Sequence, residues 1–226
     1  SEEYKKLFKE AFTTKKDAAI SEYAIQKAIA EYEKTLISMN SRFDKYLAGE
    51  RTSLTQREIN GYNLFAGKAL CGSCHFFPLF NGTVPPYFMD SEYEILGTPA
   101  TSENKSLDQD KGRYEVTKVS KQMYAFKTPT IRNSELTAPY MHHGVYSDLK
   151  QVLQFYQKGG GEGFKYPVPN QTLPFDSLKL SDYEQEDIIL FLKSLTDTSG
   201  LVQRPFKLPS FEFPISLNSR VWGGKY

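Results

Sequence analysis

Cys71-Gly72-Ser73-Cys74-His75 is the one run in this chain whose residue types and spacing specify a chemistry. Two cysteines separated by two residues and followed at once by histidine form the attachment pattern of c-type haem. The thiols add across the two vinyl groups of the porphyrin, and the imidazole of His75 then lies under the iron as its proximal ligand. Three other readings use the same residues. A thioredoxin-like redox pair belongs beside a βαβ pattern, and none is visible. A zinc site needs two more ligands, and adjacent histidines such as His142 and His143 do not readily close one tetrahedron with two thiols. A disulfide between thiols so near in sequence closes only a small loop. With 2 cysteines in the chain there is no further disulfide framework.

The elements that must carry this run follow from periodicity. Tyr4, Leu7, Phe8, Ala11 and Phe12 recur at helical spacing, and after Ser21, a candidate N-cap, Ala24, Ile25, Ala28, Ile29, Tyr32 and Leu36 keep one face. A short turn from Phe43 to Leu47 stops at Gly49. Thr55-Gln56-Arg57-Glu58 is a capping box, predicting a helix through Ile59, Tyr62, Asn63 and Ala66 that delivers the chain to Cys71. From Pro78 to Tyr140 the period disappears among prolines and glycines, with short strand pairing expected around Tyr114 to Val119. So long an irregular stretch needs something to wrap, and a haem supplies an apolar surface. Leu149, Val152, Leu153 and Tyr156 form a helical stripe ended by Gly159-Gly160-Gly161. A second capping box, Ser181-Asp182-Tyr183-Glu184, opens a last helix through Ile188, Ile189, Leu192 and Leu195 to Gly200. The organisation reads as an N-terminal helical linker region over 1–52, a cytochrome c-like haem domain over 53–198 and an extended tail over 199–226. The fold class is mainly α, a class I cytochrome c-like core with long irregular loops.

Composition limits the rest. The 226 residues are 39% hydrophobic and 14% aromatic, enough for a real core, and the formal charge of +1 argues against a nucleic-acid partner. No apolar run reaches the length of a membrane span. The start, Ser1 to Lys6, is polar and helical in character, not an export signal. Haem c is joined to its protein outside the cytoplasm, so the motif implies a bacterial periplasmic protein whose signal has been removed.

Taken together, these landmarks resemble the second-haem half of the bacterial dihaem cytochrome c peroxidases and their MauG-type relatives. The resemblance spans nearly the whole chain. It rests on Cys71-Gly-Ser-Cys-His75-Phe-Phe-Pro-Leu-Phe80, Gly112-Arg-Tyr-Glu-Val-Thr117 and Phe126-Lys-Thr-Pro-Thr-Ile-Arg-Asn133. It rests equally on Leu136-Thr-Ala-Pro-Tyr-Met-His-His-Gly144 and on the segment from Leu149 to Gly160. In that family one domain carries the haem that reduces hydrogen peroxide, and the other carries the electron-transfer haem. This chain has one attachment motif and corresponds to the second. The resemblance therefore implies an oxidoreductase half that relays electrons from a small cytochrome c or cupredoxin to a peroxidatic haem on a first-haem domain or subunit. A stand-alone monohaem electron carrier is the alternative, and a non-haem protein with a redox or zinc-binding Cys-x-x-Cys is a third reading. A homodimer is a further possible assembly.

The resemblance also implies site roles. One covalent haem c is held by Cys71, Cys74 and His75. The peroxidase branch places a methionine in the helix after the Pro-Tyr-x-His-x-Gly turn, and the MauG branch places a tyrosine there; counted from Pro139, the matching position is Tyr156. A phenolate favours ferric iron, so ligation by Tyr156 would give a low-potential haem. Tyr156 also lies on the buried stripe of its helix, where tyrosines often simply pack. Met141 is its main rival as ligand, ahead of His142 and Met123. Arg132 is the expected propionate partner, its forked donors matching a carboxylate. Phe76, with Phe77 and Phe80, is expected against the porphyrin edge. Thr137 and Pro139 match positions whose backbone carbonyls bind calcium between the two haem domains, and carbonyl oxygens suit that hard cation. His143 departs from the His-Asp-Gly usual at this turn.

Overall fold

Amphipathic spacing, good caps and glycine stops give eight α-helices and one small strand pair among the described residues. The computed structural model describes residues 1–12, 20–174, 177–199, 201 and 209–219. It separates into two units, one formed by Ser1–Ser38 with Thr198–Tyr226 and one by Met39–Asp197. Most of the sequence-expected tail, and Gly200 at the expected end of the last helix, lie outside the described residues.

The first unit contains α1 (Glu2–Ala11) and α2 (Glu22–Glu33). The Ser21 hydroxyl accepts from the Ala24 amide at 3.1 Å, so the N-cap read from sequence is in place. Neither helix buries much. Ala24 is buried, whereas Leu7, Tyr23, Ile25, Ile29 and Tyr32 stay exposed. The helical face expected to run on to Leu36 ends at Glu33, where Thr35 and Leu36 turn back onto the carbonyls of Tyr32 and Glu33.

The second unit holds the cysteines. Its helices are α3 (Arg42–Leu47), α4 (Gln56–Ala66), α5 (Tyr114–Thr117), α6 (Leu149–Lys158), α7 (Gly160–Gly163) and α8 (Asp182–Ser194). Three of them open on reciprocal capping boxes, Ser41 with Asp44, Thr55 with Glu58 and Ser181 with Glu184. β1 (Tyr93–Glu94) pairs antiparallel with β2 (Phe126–Lys127), Tyr93 opposite Lys127 and Glu94 opposite Phe126.

The core is an aromatic cluster on the α4–α8 pair. Phe43, Phe65, Phe80 and Phe191 are each at most 3% exposed. Phe191 has its ring centroid 5.2–5.7 Å from the other three, mostly edge-on, as ring quadrupoles favour. Leu153 of α6 and Ile188, Leu192 and Leu195 complete it. α4 can lie this close to α8 because residue 61 is glycine. A Cβ there would stand 1.9 Å from the Asp187 carbonyl oxygen. Asp187 is 1% exposed and its carboxylate is satisfied across the same contact, by Arg57 at 2.6 Å and Asn60 at 2.6 Å. A second cluster, Ile95, Ala125, Tyr166 and Val168, supports the irregular stretch.

The stretch from Pro78 to Tyr140 is largely irregular, as expected, with one correction. The segment from Tyr114 is a helical turn, α5, and not a strand. The Arg113 carbonyl gathers the amides of Val116 and Thr117 and the Thr117 hydroxyl, and Lys118 ends the turn at φ +56°. The alternation of Tyr114, Val116 and Lys118 was too short to distinguish a period of two from a single turn. Strand pairing falls instead to β1 and β2.

Candidate haem site

α4 fixes the start of the site. It ends at Ala66; Leu70 then takes φ +56°, and Cys71–Ser73 form a single tight turn. The His75 amide donates back to the Cys71 carbonyl at 3.0 Å, which brings the imidazole under the turn that carries both thiols. Neither cysteine is in a disulfide. Burial pushes the Cys71 thiol up to about 12, so it rests as a protonated thiol whose hydrogen points at the Ala69 carbonyl, 3.6 Å away. Burial, followed by the nearby Glu94 carboxylate, also raises Cys74.

His75 is oriented from two directions. Its Nδ1 lies 3.2 Å from the Phe80 carbonyl and 3.1 Å from the Pro129 carbonyl. Two acceptors at one nitrogen place the proton on Nδ1 and the lone pair on Nε2, the tautomer an iron ligand requires. Burial pushes the imidazole below its ordinary value, which keeps it neutral and able to ligate.

Tyr156, on α6, lies close enough to both cysteines for their charges to bear on its hydroxyl. Burial raises its hydroxyl far above the ordinary phenol value, and the negative groups that add to the shift are Cys71, Cys74 and Glu94. No hydrogen bond to the Tyr156 hydroxyl is present among the described residues. α6 places its neighbour differently: Phe155, 1% exposed, packs against Tyr146 and Phe164 on another face. The residues thus fit a covalently held haem: two unpaired thiols, a tautomer-locked imidazole and a phenol grouped together.

Sequence reasoning missed two members of this group. Glu92 and Glu94, at and beside β1, have carboxylate oxygens that lie with the Cys74 sulfur within 4.8 Å of one another. Burial, and then Glu94, raises Glu92. A two-residue strand gives no periodic signal, and its partner is more than thirty positions away, so no local pattern marks these carboxylates.

In the described structure the Arg132 fork is taken up by protein partners. Both terminal nitrogens bind Asp44 of α3, at 2.9 and 2.8 Å, while Nε and one of them also reach the Pro78 carbonyl at 3.1 and 2.9 Å. It is a buried clamp between α3 and the loop after His75, with its guanidinium 5.5 Å from the Phe80 ring centroid. A planar fork takes any carboxylate of the right geometry, and Asp44 is one that the fold supplies. Phe80 is core, Phe76 half-buried and Phe77 half-exposed. Met141 stands at φ +69° in the turn closed by the Tyr140–Tyr146 bridge. Thr137 and Pro139 are exposed, and neither carbonyl accepts a hydrogen bond among the described residues. His142 lies 3.2 Å from Asp108 and stacks on Phe126.

Comparison with known proteins fits this geometry. A family model described as di-haem cytochrome c peroxidase matches residues 1–52. A cytochrome-c peroxidase of Denitromonas iodatirespirans is 32% identical over 95% of this chain and 60% of its own length. A cytochrome c551 peroxidase of Nitrosomonas europaea is 36% identical over 92% of this chain and 52% of its own length. Among solved structures, a MauG-like protein associated with microbial copper homeostasis is similar at a TM-score of 0.63 and 30% identity, covering 82% of this chain and 60% of that one. The fold these proteins share is the mainly α, cytochrome c-like one expected from the sequence. The chain spans 60% and 52% of the lengths of these two peroxidases.

Proposed function

Because the chain belongs to the di-haem cytochrome c peroxidase and MauG family, we propose that it is the electron-transfer half of such an oxidoreductase, relaying electrons to a peroxidatic haem that reduces hydrogen peroxide. A haem c held here supplies reversible one-electron exchange at iron. Cys71 and Cys74 would hold it, and His75 would ligate through Nε2. Tyr156 is the proposed sixth ligand. The observation that carries the reading is His75 locked by the Phe80 and Pro129 carbonyls and grouped with both thiols and Tyr156.

This chain's own residues do the positioning. The Phe80 and Pro129 carbonyls hold the proton on Nδ1 and so strengthen the donor at Nε2. Glu94 sets a negative field at the Cys74 thiol, His75 and Tyr156. A negative field of this kind favours the ferric over the ferrous state and so lowers the potential of the site.

The proposed partner is a first-haem domain or subunit, with a small cytochrome c or cupredoxin as donor. The exposed apolar residues Leu7, Ile25, Ile29 and Tyr32 support a covering domain, because they lie within the residues matched by the family model. They also weigh against the stand-alone carrier. In the same reading the free carbonyls of Thr137 and Pro139 offer two ligands to calcium, the rest coming from that domain. The setting is periplasmic, as haem c attachment requires; among the described residues no helix is long and apolar enough to cross a membrane.

The test is expression with haem c maturation, followed by intact mass and peroxide turnover. One added haem mass is expected, with turnover only once the first-haem domain is supplied. A chain that leaves maturation with both thiols free would refute the reading.

A further inference from the structure

We propose that Asp108, His142 and His143 form a binding site for a divalent transition-metal ion of the zinc type. One ligand atom from each of the three lies within 4.8 Å of the others. Two imidazole nitrogens and one carboxylate oxygen are a donor set suited to zinc, whereas calcium and magnesium favour all-oxygen shells.

The backbone makes adjacent histidines converge. His142 and His143 follow Met141 at φ +69° and precede Gly144 at φ +77°, in a turn pinned by hydrogen bonds between Tyr140 and Tyr146. In an extended strand neighbouring side chains point to opposite faces. This turn instead brings the two rings to 4.5 Å between centroids. The obstacle to one ion using both histidines is therefore removed by local geometry.

Each ligand is also oriented from behind. His143 Nε2 donates to the Pro99 carbonyl at 3.0 Å, which leaves Nδ1 with the lone pair. His142 stacks on Phe126 at 3.8 Å, with the ring planes 10° apart, and its Nε2 faces Asp108 at 3.2 Å. Binding would turn that contact into two metal bonds, with the ring proton carried on Nδ1 instead. Asp108 is held by the Asp110 amide, which donates to its carboxylate at 2.9 Å. Pro99 and Leu107, the residue before Asp108, bridge as antiparallel partners, so ligand and orienting carbonyl belong to one braced loop. The side chains of His142 and Asp108 are 15% and 21% exposed, open enough for an ion to enter yet ordered by neighbours.

The site stands on these residues alone and not on the electron-transfer reading. Its test uses the full, haem-loaded chain, stripped with a chelator and dialysed against Zn²⁺, with zinc counted by elemental mass spectrometry. The wild type is expected to retain one zinc per chain beyond its haem iron. Asp108→Asn and His143→Gln should each weaken retention by about tenfold or more, with the haem absorption spectrum unchanged. Absence of zinc uptake by the wild type, or uptake that neither substitution weakens, would overturn the proposal.

Discussion

Replacing Arg132 with glutamine separates a structural clamp from a haem partner. The substitution removes two bonds to Asp44 and two to the Pro78 carbonyl. The side chains of Arg132 and Asp44 are 5% and 14% exposed, so water does not make good the loss. Breaking a buried pair by removing one partner costs about 3–5 kcal/mol. Asp44 keeps the Ser41 hydroxyl at 2.6 Å and the Ser41 amide at 2.9 Å, which puts the expected cost at the lower end, about 3 kcal/mol at neutral pH. The cost should also depend on acid in one direction. Burial alone would raise the Asp44 carboxyl, but bonds from Arg132 and Ser41 outweigh it and hold the group below its usual value. A carboxylate depressed in the folded state stabilises above its unfolded pKa, and that contribution is lost as pH falls through the folded value. The difference between wild type and Arg132→Gln should therefore hold steady down to about pH 4 and shrink below it. Urea unfolding across pH measures this, alongside a potentiometric titration of the haem. A loss under about 1 kcal/mol at neutral pH would refute the clamp. A large shift in haem potential with stability intact would support the propionate role.

Gly61→Ala offers a test of the α4–α8 contact. Helix propensity alone favours alanine by about 1 kcal/mol, yet a Cβ 1.9 Å from a backbone oxygen must part the helices, so a net loss above about 2 kcal/mol is expected on thermal unfolding. An unchanged or higher melting temperature would contradict it. Tyr156→Met should introduce the methionine–iron charge-transfer band in the ferric spectrum; finding that band already in the wild type would rule Tyr156 out as ligand. Glu94→Gln removes the negative charge shared by Cys74, His75 and Tyr156 and should raise the reduction potential. A potential that falls or stays fixed would sink that assignment.

What could be read from sequence was what is written locally. Ser21, the Thr55–Glu58 box and the Ser181–Glu184 box sit within one turn of the amides they satisfy, so a short window contains the whole signal. The α6 stripe ended at Gly159, which adopts φ +88° there, and the Cys71–His75 turn was legible for the same reason. Interactions that join distant segments were not. Arg132 meets Asp44 across 88 positions, and nothing near either residue names the other. Two-residue strands have no period, so β1 and its carboxylates were invisible. Phe155 fell outside the stripe that named its neighbours, because α6 is covered on more than one side.

The two carbonyls that grip His75 lie 5 and 54 residues downstream of it. Thioether attachment needs only the five-residue motif, but a properly aimed imidazole needs the Pro129 loop to have docked. If haem c is attached as proposed, its ligand-field spectrum would report whether the Pro129 loop has closed on His75. Substitutions in that loop, remote from any iron-bonding atom, would register first as a change in colour.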